Sequence, residues 1–463
     1  MRQRPERDRT ERARLYRPRS EKRPPERSKA IPAILAAILA GALIFAPAAS
    51  GQDQAQAQDE TNIESPFRVR GYVKSFSVAF QPARTDGAPA PALMGAVSNR
   101  LRLKLDWTPA KNISIQAAYD VSPRIQDPAL FAGSAFGFQL DATAYRLVDL
   151  RDRILPRPGA PIRSFGVYQN LDRLFLTLKT KVGDISIGRQ PVAWGSARVV
   201  NPTDVIAPFS FNELDKEERY GVDAVRWRVP LGTMSEIDAG YVFGRDFAFD
   251  KSALYLKARA PILGMDVTAL GLVFQENALF GLDIAGSIGP AGAWIEAAAV
   301  IPDAVAASDP AQPEEKAYYR LSAGIDGSPS NRLYGFLEYH FNSAGADKPE
   351  SYLERFSTVA YTRGSAYLMG RHYAAVGLSY QLHPLLPVTG LVLWNIGDAS
   401  AAFFPQAEYN VAENIYLAAG ALLRLGRSPE IVAFPGEFAA TTRLRSEFGA
   451  YPNFAFFAFR YYF

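Results

Sequence analysis

The sequence has no cysteine and only three histidines among its 463 residues. The first absence removes disulfides, thiolate metal sites and lipid anchoring through an N-terminal cysteine. The histidines, His340, His372 and His383, show neither metal-ligand spacing nor a triad arrangement. The glycine-bearing stretches "GSARVVNP" and "GIDGSPSN" lack the lysine and following helix of a phosphate loop. No pair of carboxylates is spaced for acid–base work. An enzyme is not expected, and neither is a metal or a cofactor. After residue 50 there is no run of 18 apolar residues, which excludes a bundle of membrane-spanning helices.

Charge of one sign is also scarce once the N-terminus is set aside. Residues 1–29 carry 12 Lys/Arg against 5 acids, whereas the rest holds 39 basic against 42 acidic residues. The sequence pI of about 9.0 therefore belongs to the tail, and nucleic-acid binding by the body is not expected. The basic tail runs into "IPAILAAILAGALIFAPAAS", and small residues close the run. This predicts a signal peptide over 1–48, cleaved between 48 and 57 and exported by the Sec route. A polar linker is expected over 49–66, too short for a plug domain.

What is present is alternation. Eighteen segments of period 2 run from about 67–80 to 454–463, with lengths near those of tilted membrane strands. Leu101, Leu103, Leu105 and Trp107 oppose Arg100, Arg102, Lys104 and Asp106; Leu254 and Leu256 oppose Tyr255 and Lys257. Short connections ("KVG", "PILG", "GPAG", "VAEN") alternate with long ones (122–169, 191–219, 301–316, 342–370, 426–453). Tight turns at one end and long loops at the other predict an all-β, transmembrane, antiparallel up-and-down barrel of about 18 strands over 67–463. Such a barrel leaves no open edge and gives its apolar face to lipid.

Parity then sorts the inner face. Arg68, Arg70, Lys74, Arg100, Arg102, Lys104 and Arg460 point inward on the first two strands and the last. Glu236, Asp238, Asp266, Asp283, Glu296, Asp326 and Glu338 do so on the seventh to thirteenth. A basic wall facing an acidic one would set a field across the pore. The competing reading is a set of wall-bracing ion pairs, to which Arg226, Arg228, Lys257, Arg259, Arg320 and Arg332 would contribute. Pro, Trp and Phe inside 191–219 argue for a packed loop. Folded inward, it would narrow the lumen with Arg189, Arg198, Asp204, Glu213, Asp215 and Arg219; folded outward, it would be a cap.

Two stretches resemble known families. The ending "FAFFAFRYYF" places Phe457, Phe459, Tyr461 and Phe463 on one face and resembles the terminal strand of bacterial outer-membrane barrels. The resemblance implies recognition by the barrel assembly machinery and closure against the first strand. The stretch from Gly188 to Asp204, with Arg189, Gln190, Trp194, Gly195, Asn201 and Pro202, resembles a segment of porin-like barrels related to alginate-export-type channels. It implies a channel in the Gram-negative outer membrane, set among lipid and lipopolysaccharide, passing small polar or anionic solutes by diffusion. The alternative is a barrel that sheathes or docks a partner in an export or electron-transfer complex. Classical porins are often trimers, but no signature of a homo-oligomer is readable here.

Overall fold

The computed structural model describes residues 66–131, 144–209, 215, 217–305, 315–433 and 440–463. The expected signal peptide and nearly all of the linker lie outside the described residues, as does Glu213. The strands are β1 (Phe67–Gln81), β2 (Met94–Ala110), β3 (Ile113–Gln126), β4 (Arg153–Leu155), β5 (Phe165–Thr180), β6 (Gly183–Pro191) and β7 (Gly221–Pro230). They continue as β8 (Glu236–Val242), β9 (Ala253–Ile262), β10 (Met265–Phe274), β11 (Asn277–Ile288), β12 (Ala291–Ile301), β13 (Tyr318–Ser330) and β14 (Leu333–Asn342). The last are β15 (His372–His383), β16 (Leu386–Asn395), β17 (Ser400–Ala412), β18 (Ile415–Leu425), β19 (Glu430–Ala433), β20 (Ala440–Arg443) and β21 (Asn453–Tyr462).

Eighteen of these form the wall. β4 is a short addition beside β5, and β19–β20 is a separate hairpin in the last long loop. Every wall pairing is antiparallel between neighbours in sequence order, and β21 closes the cylinder between β18 and β1. The chain is thus the expected 18-stranded up-and-down barrel. At the seam, Gly71 and Phe463 exchange backbone hydrogen bonds of 2.8 and 3.0 Å. The Phe463 ring lies over Gly71, where an added Cβ would come within 2.6 Å of it, so glycine lets the last residue fold flat against the seam.

Parity decides what each face meets. On the outer face Leu254, Leu256, Leu282, Ile295, Leu337 and Val376 are 42–57% exposed. Unsheathed in water, such a belt would drive association, and lipid removes that cost. Phe457, Tyr461 and Phe463 lie on this face, 40–50% exposed. Exposed Trp107, Trp227, Tyr380 and Tyr409 ring the turn end; Phe165, Tyr319, Tyr339 and Trp394 ring the loop end. These are two aromatic girdles of the kind that seat a barrel at both membrane interfaces.

Candidate functional site

The core of this molecule lies inside the cylinder. Near the loop end, the inward residues of β7 to β12 are apolar: Val222, Val242, Leu270, Leu272, Phe274, Leu279 and Val300 are all at most 5% exposed. An aqueous wall has no use for them. They are covered by Val192, Val205 and Ile206 of the 191–219 loop, which join the same cluster. Each fully buried aliphatic side chain contributes about 1.5–3 kcal/mol, enough to hold a loop whose backbone is otherwise irregular. Trp194 stacks at a tilt on Tyr255, with centroids 4.9 Å apart, and donates its indole N–H to the Thr203 carbonyl at 2.6 Å.

The loop's backbone satisfies the acidic wall. Glu296 Oε2 accepts from the Ser196 and Ala197 amides, both at 3.1 Å, and from Asn201 Nδ2 at 3.1 Å. Its Oε1 accepts from the Thr203 amide at 2.9 Å and the Thr203 hydroxyl at 2.6 Å. Glu338 accepts from the amides of Arg198, Val199 and Val200 at 2.6–3.2 Å and from Trp294 Nε1 at 3.1 Å. Asp283 accepts from the Ser196 hydroxyl. Two buried glutamates are therefore satisfied by amides, which carry partial positive charge without a basic side chain.

The loop's far end satisfies the basic wall. Lys74, fully buried, donates to Asp215 at 2.9 Å and Glu217 at 2.5 Å. Arg100 reaches Asp215 at 3.4 Å, Lys104 pairs with Glu218, and Arg173 donates to Glu218 at 3.0 Å. Beneath them Arg102 is 1% exposed and held by Asp120 at 3.0 Å and Asp172 at 2.5 Å. The opposed walls expected from parity therefore do not face each other across water. The loop stands between them, acidic end to the basic wall and amide face to the acidic wall. The field expected between the basic and the acidic wall therefore meets the loop's own charges and amides, and the ion pairs follow the competing reading.

Several expected lumen residues have other places. Arg189 is 5% exposed, bound by Asp223, by Asp149 and by the carbonyls of Leu171 and Val148, in a rim knot with the 145–149 segment. Asp204 is buried within the loop and pairs with Arg219, whose guanidinium lies 4.3 Å over the Phe209 ring. That pair closes the loop on itself. Burial pushes the Asp204 carboxyl up to about 6, with Arg219 opposing the shift. Arg226 makes a two-point bond to Asp238, at 2.9 and 2.6 Å, and braces β7 against β8. Arg228 lies two residues nearer the turn end, opposite Asp184 and Asp238 in the ladder. Arg68 and Arg70 stand at the turn end, Arg70 bonded to Asp106 at 2.6 Å and 62% exposed.

A cavity of about 500 Å³ remains between the loop and the wall of β14 to β18, β21 and β1. Arg198, Asp215 and Glu217 come from the loop; Phe76, Tyr334, Phe336, Leu391, Phe404, Phe456 and Arg460 come from the wall. A larger concavity of about 660 Å³, among Ser77, Ala79, Gly95, Ile125 and Phe457, lies on the outer parity of the wall and belongs to the lipid side. Parity reasoning passed over Glu217, Glu218 and the aromatic wall. The run "DKEER" at 215–219 was the available signal: it supplies carboxylates where the wall supplies cations.

No family model matches the sequence, and no curated protein matches it. Among solved structures the chain is similar to OccAB2 of Acinetobacter baumannii, at 10% identity over 86% of this chain and 98% of that one, with a TM-score of 0.49. It is also similar to OpdK of Pseudomonas aeruginosa, solved with vanillate, at 9% identity over 85% and 98%, with a TM-score of 0.46. OmpT, an outer membrane protein of Vibrio cholerae, is 11% identical over 86% and 97%, with a TM-score of 0.39. The likeness is one of barrel form.

Proposed function

We propose that this protein is a porin-like channel of the Gram-negative outer membrane, through which small polar solutes diffuse down their gradients. The observation that carries the reading is the eccentric lumen: an 18-stranded cylinder, apolar outside, in which one inward loop leaves a cavity of about 500 Å³ against the opposite wall. Cylinders of this strand number enclose an aqueous channel unless loops fill it. Here the 191–219 loop fills one side.

In this reading the segment from Gly188 to Asp204, which resembles alginate-export-type barrels, is the root of the constriction. Arg198, Asp215 and Arg460 are its lining, while Arg189, Asp204 and Arg219 hold it in place. The terminal Phe457, Phe459, Tyr461 and Phe463 serve assembly. Purified protein in planar bilayers should show discrete conductance steps in KCl. A correctly folded barrel that inserts and stays electrically silent would overturn the reading.

A further inference from the structure

The wall of the residual cavity sets aromatic rings among its polar residues Ser379, Thr389, Gln406 and Arg460, where a water-filled lumen calls for polar residues throughout. Phe76 on β1, Phe336 on β14, Phe404 on β17 and Phe456 on β21 share the inward parity and line one continuous side. Two of the rings are laid flat by glycine. A Cβ at Gly377 would come within 2.0 Å of the Phe336 ring, and one at Gly420 within 2.7 Å of the Phe456 ring. Any larger residue there would tip the ring into the lumen. The result is a half-buried aromatic surface, with Phe336 and Phe404 backed by the cluster of Val199, Val200, Tyr373 and Phe448.

The charged groups around the cavity are balanced. Arg198 pairs with Asp326 at 2.7 Å, Arg460 with Glu408, and Asp215 and Glu217 with Lys74 and Arg100. Among the described residues, four cations thus meet four carboxylates around the cavity. An anion entering it meets Asp215 and Glu217; a cation meets Arg198 and Arg460. A net-uncharged solute escapes both penalties and still finds donors and acceptors along one edge. The cavity volume suits a solute of one or two rings.

We infer that the passage favours net-uncharged solutes bearing a flat apolar ring face, with Phe336, Phe404 and Phe456 as the surface that selects them. The inference rests on the channel reading. Four probes added to the bilayer in KCl separate the contributions: phenyl β-glucoside (ring, neutral), sorbitol (no ring, neutral), benzoate (ring, anionic) and gluconate (no ring, anionic). Phenyl β-glucoside should interrupt the current at a concentration about tenfold below sorbitol, as a few aromatic contacts imply. Benzoate should do no better than phenyl β-glucoside. Phe336→Leu, Phe404→Leu and Phe456→Leu keep apolar volume but lose the flat face. Each should weaken the phenyl β-glucoside block relative to the sorbitol block measured on the same variant.

Equal block by phenyl β-glucoside and sorbitol in the unsubstituted protein overturns the ring-face inference. Stronger block by benzoate overturns the charge-balance argument. A barrel that passes no KCl overturns the channel reading instead. Titration calorimetry of the same four probes on the detergent-solubilised barrel then decides the ring-face preference without any current.

Discussion

The wall of β1, β2, β3 and β5 and the wall of β14 to β18 are built on the same alternation, yet the loop is fastened to the first by ion pairs and meets the second by apolar packing and the amide caps on Glu338. The first presents Lys74, Arg100, Lys104 and Arg173, and the loop's acidic end is fastened to them. The second presents Phe336, Leu391, Phe404 and small residues; Val199 and Val200 of the loop pack with Tyr373, Ala375, Leu393 and Ala402 at its loop end, and the cavity lies along the rest of it. An irregular loop can enter a barrel only where its polar groups find partners, because stranded donors and acceptors are costly in a confined space. The lumen is therefore eccentric by chemistry: side-chain charge and amide caps hold the loop across the barrel, and the cavity is left between it and the aromatic wall.

Removing the complementarity should have the largest effect. Replacing Asp215, Glu217 and Glu218 together by Asn, Gln and Gln would free the loop end and bare the basic wall. Single-channel recordings should then show conductance higher by about twofold or more, with reversal potentials moved toward anion selectivity. Unchanged conductance would mean that the ion pairs do not place the loop.

The amide side of the comparison is sharpened by Glu296→Ala, which strands the Ser196, Ala197 and Thr203 donors. The expected loss is about 3–4 kcal/mol from several charge-assisted bonds, read as a lower Tm of heat-modifiable mobility and as protease cleavage within 191–219. Resistance equal to the unsubstituted protein would show that apolar packing suffices to hold the loop.

A third test concerns the loop-end cover above the aromatic wall. Glu447 is buried there, accepting from Tyr373 at 2.5 Å, Asn395 at 2.7 Å and the Met369 amide at 3.0 Å. Burial raises its carboxyl from 4.5 to about 7 against those hydrogen bonds, with Asp398 adding to the rise. A folded-state value above the unfolded one means that the folded cover holds the proton more tightly. Its stability is then fullest below about pH 4.5, falls as pH rises to about 7, and is level above that. Hydrogen exchange at the Met369 and Phe448 amides, corrected for intrinsic rates, should show opening at pH 8 more frequent than at pH 5 by roughly seventyfold. Glu447→Gln should remove the difference; a pH effect that survives the substitution assigns it elsewhere.

The smallest effect is expected at the turn end, away from both halves of the contrast. Arg70→Ala breaks an ion pair whose arginine is 62% exposed, so barrel stability should change by less than about 1 kcal/mol. A larger loss would give the turn end a structural role that its exposure does not suggest.

Much of the wall was legible from spacing. Alternating Leu and Arg on β2, the short turns and the aromatic ending identified the cylinder, its strand number and its lipid face, because period 2 is a property of the strand itself. The inner-face charges were legible in the same way, as residues turned inward. What stood opposite each of them was not. Lys74 meets a partner 141 residues away, and Glu338 meets an amide 140 residues away. Arg189 is held in a rim knot by groups from three separate segments. Sequence by itself determined that this chain forms a closed sheet, apolar outside and charged within. Only the tertiary structure decided which of those charges still face water, since parity orients a side chain while closure of the barrel and entry of the loop choose its neighbours.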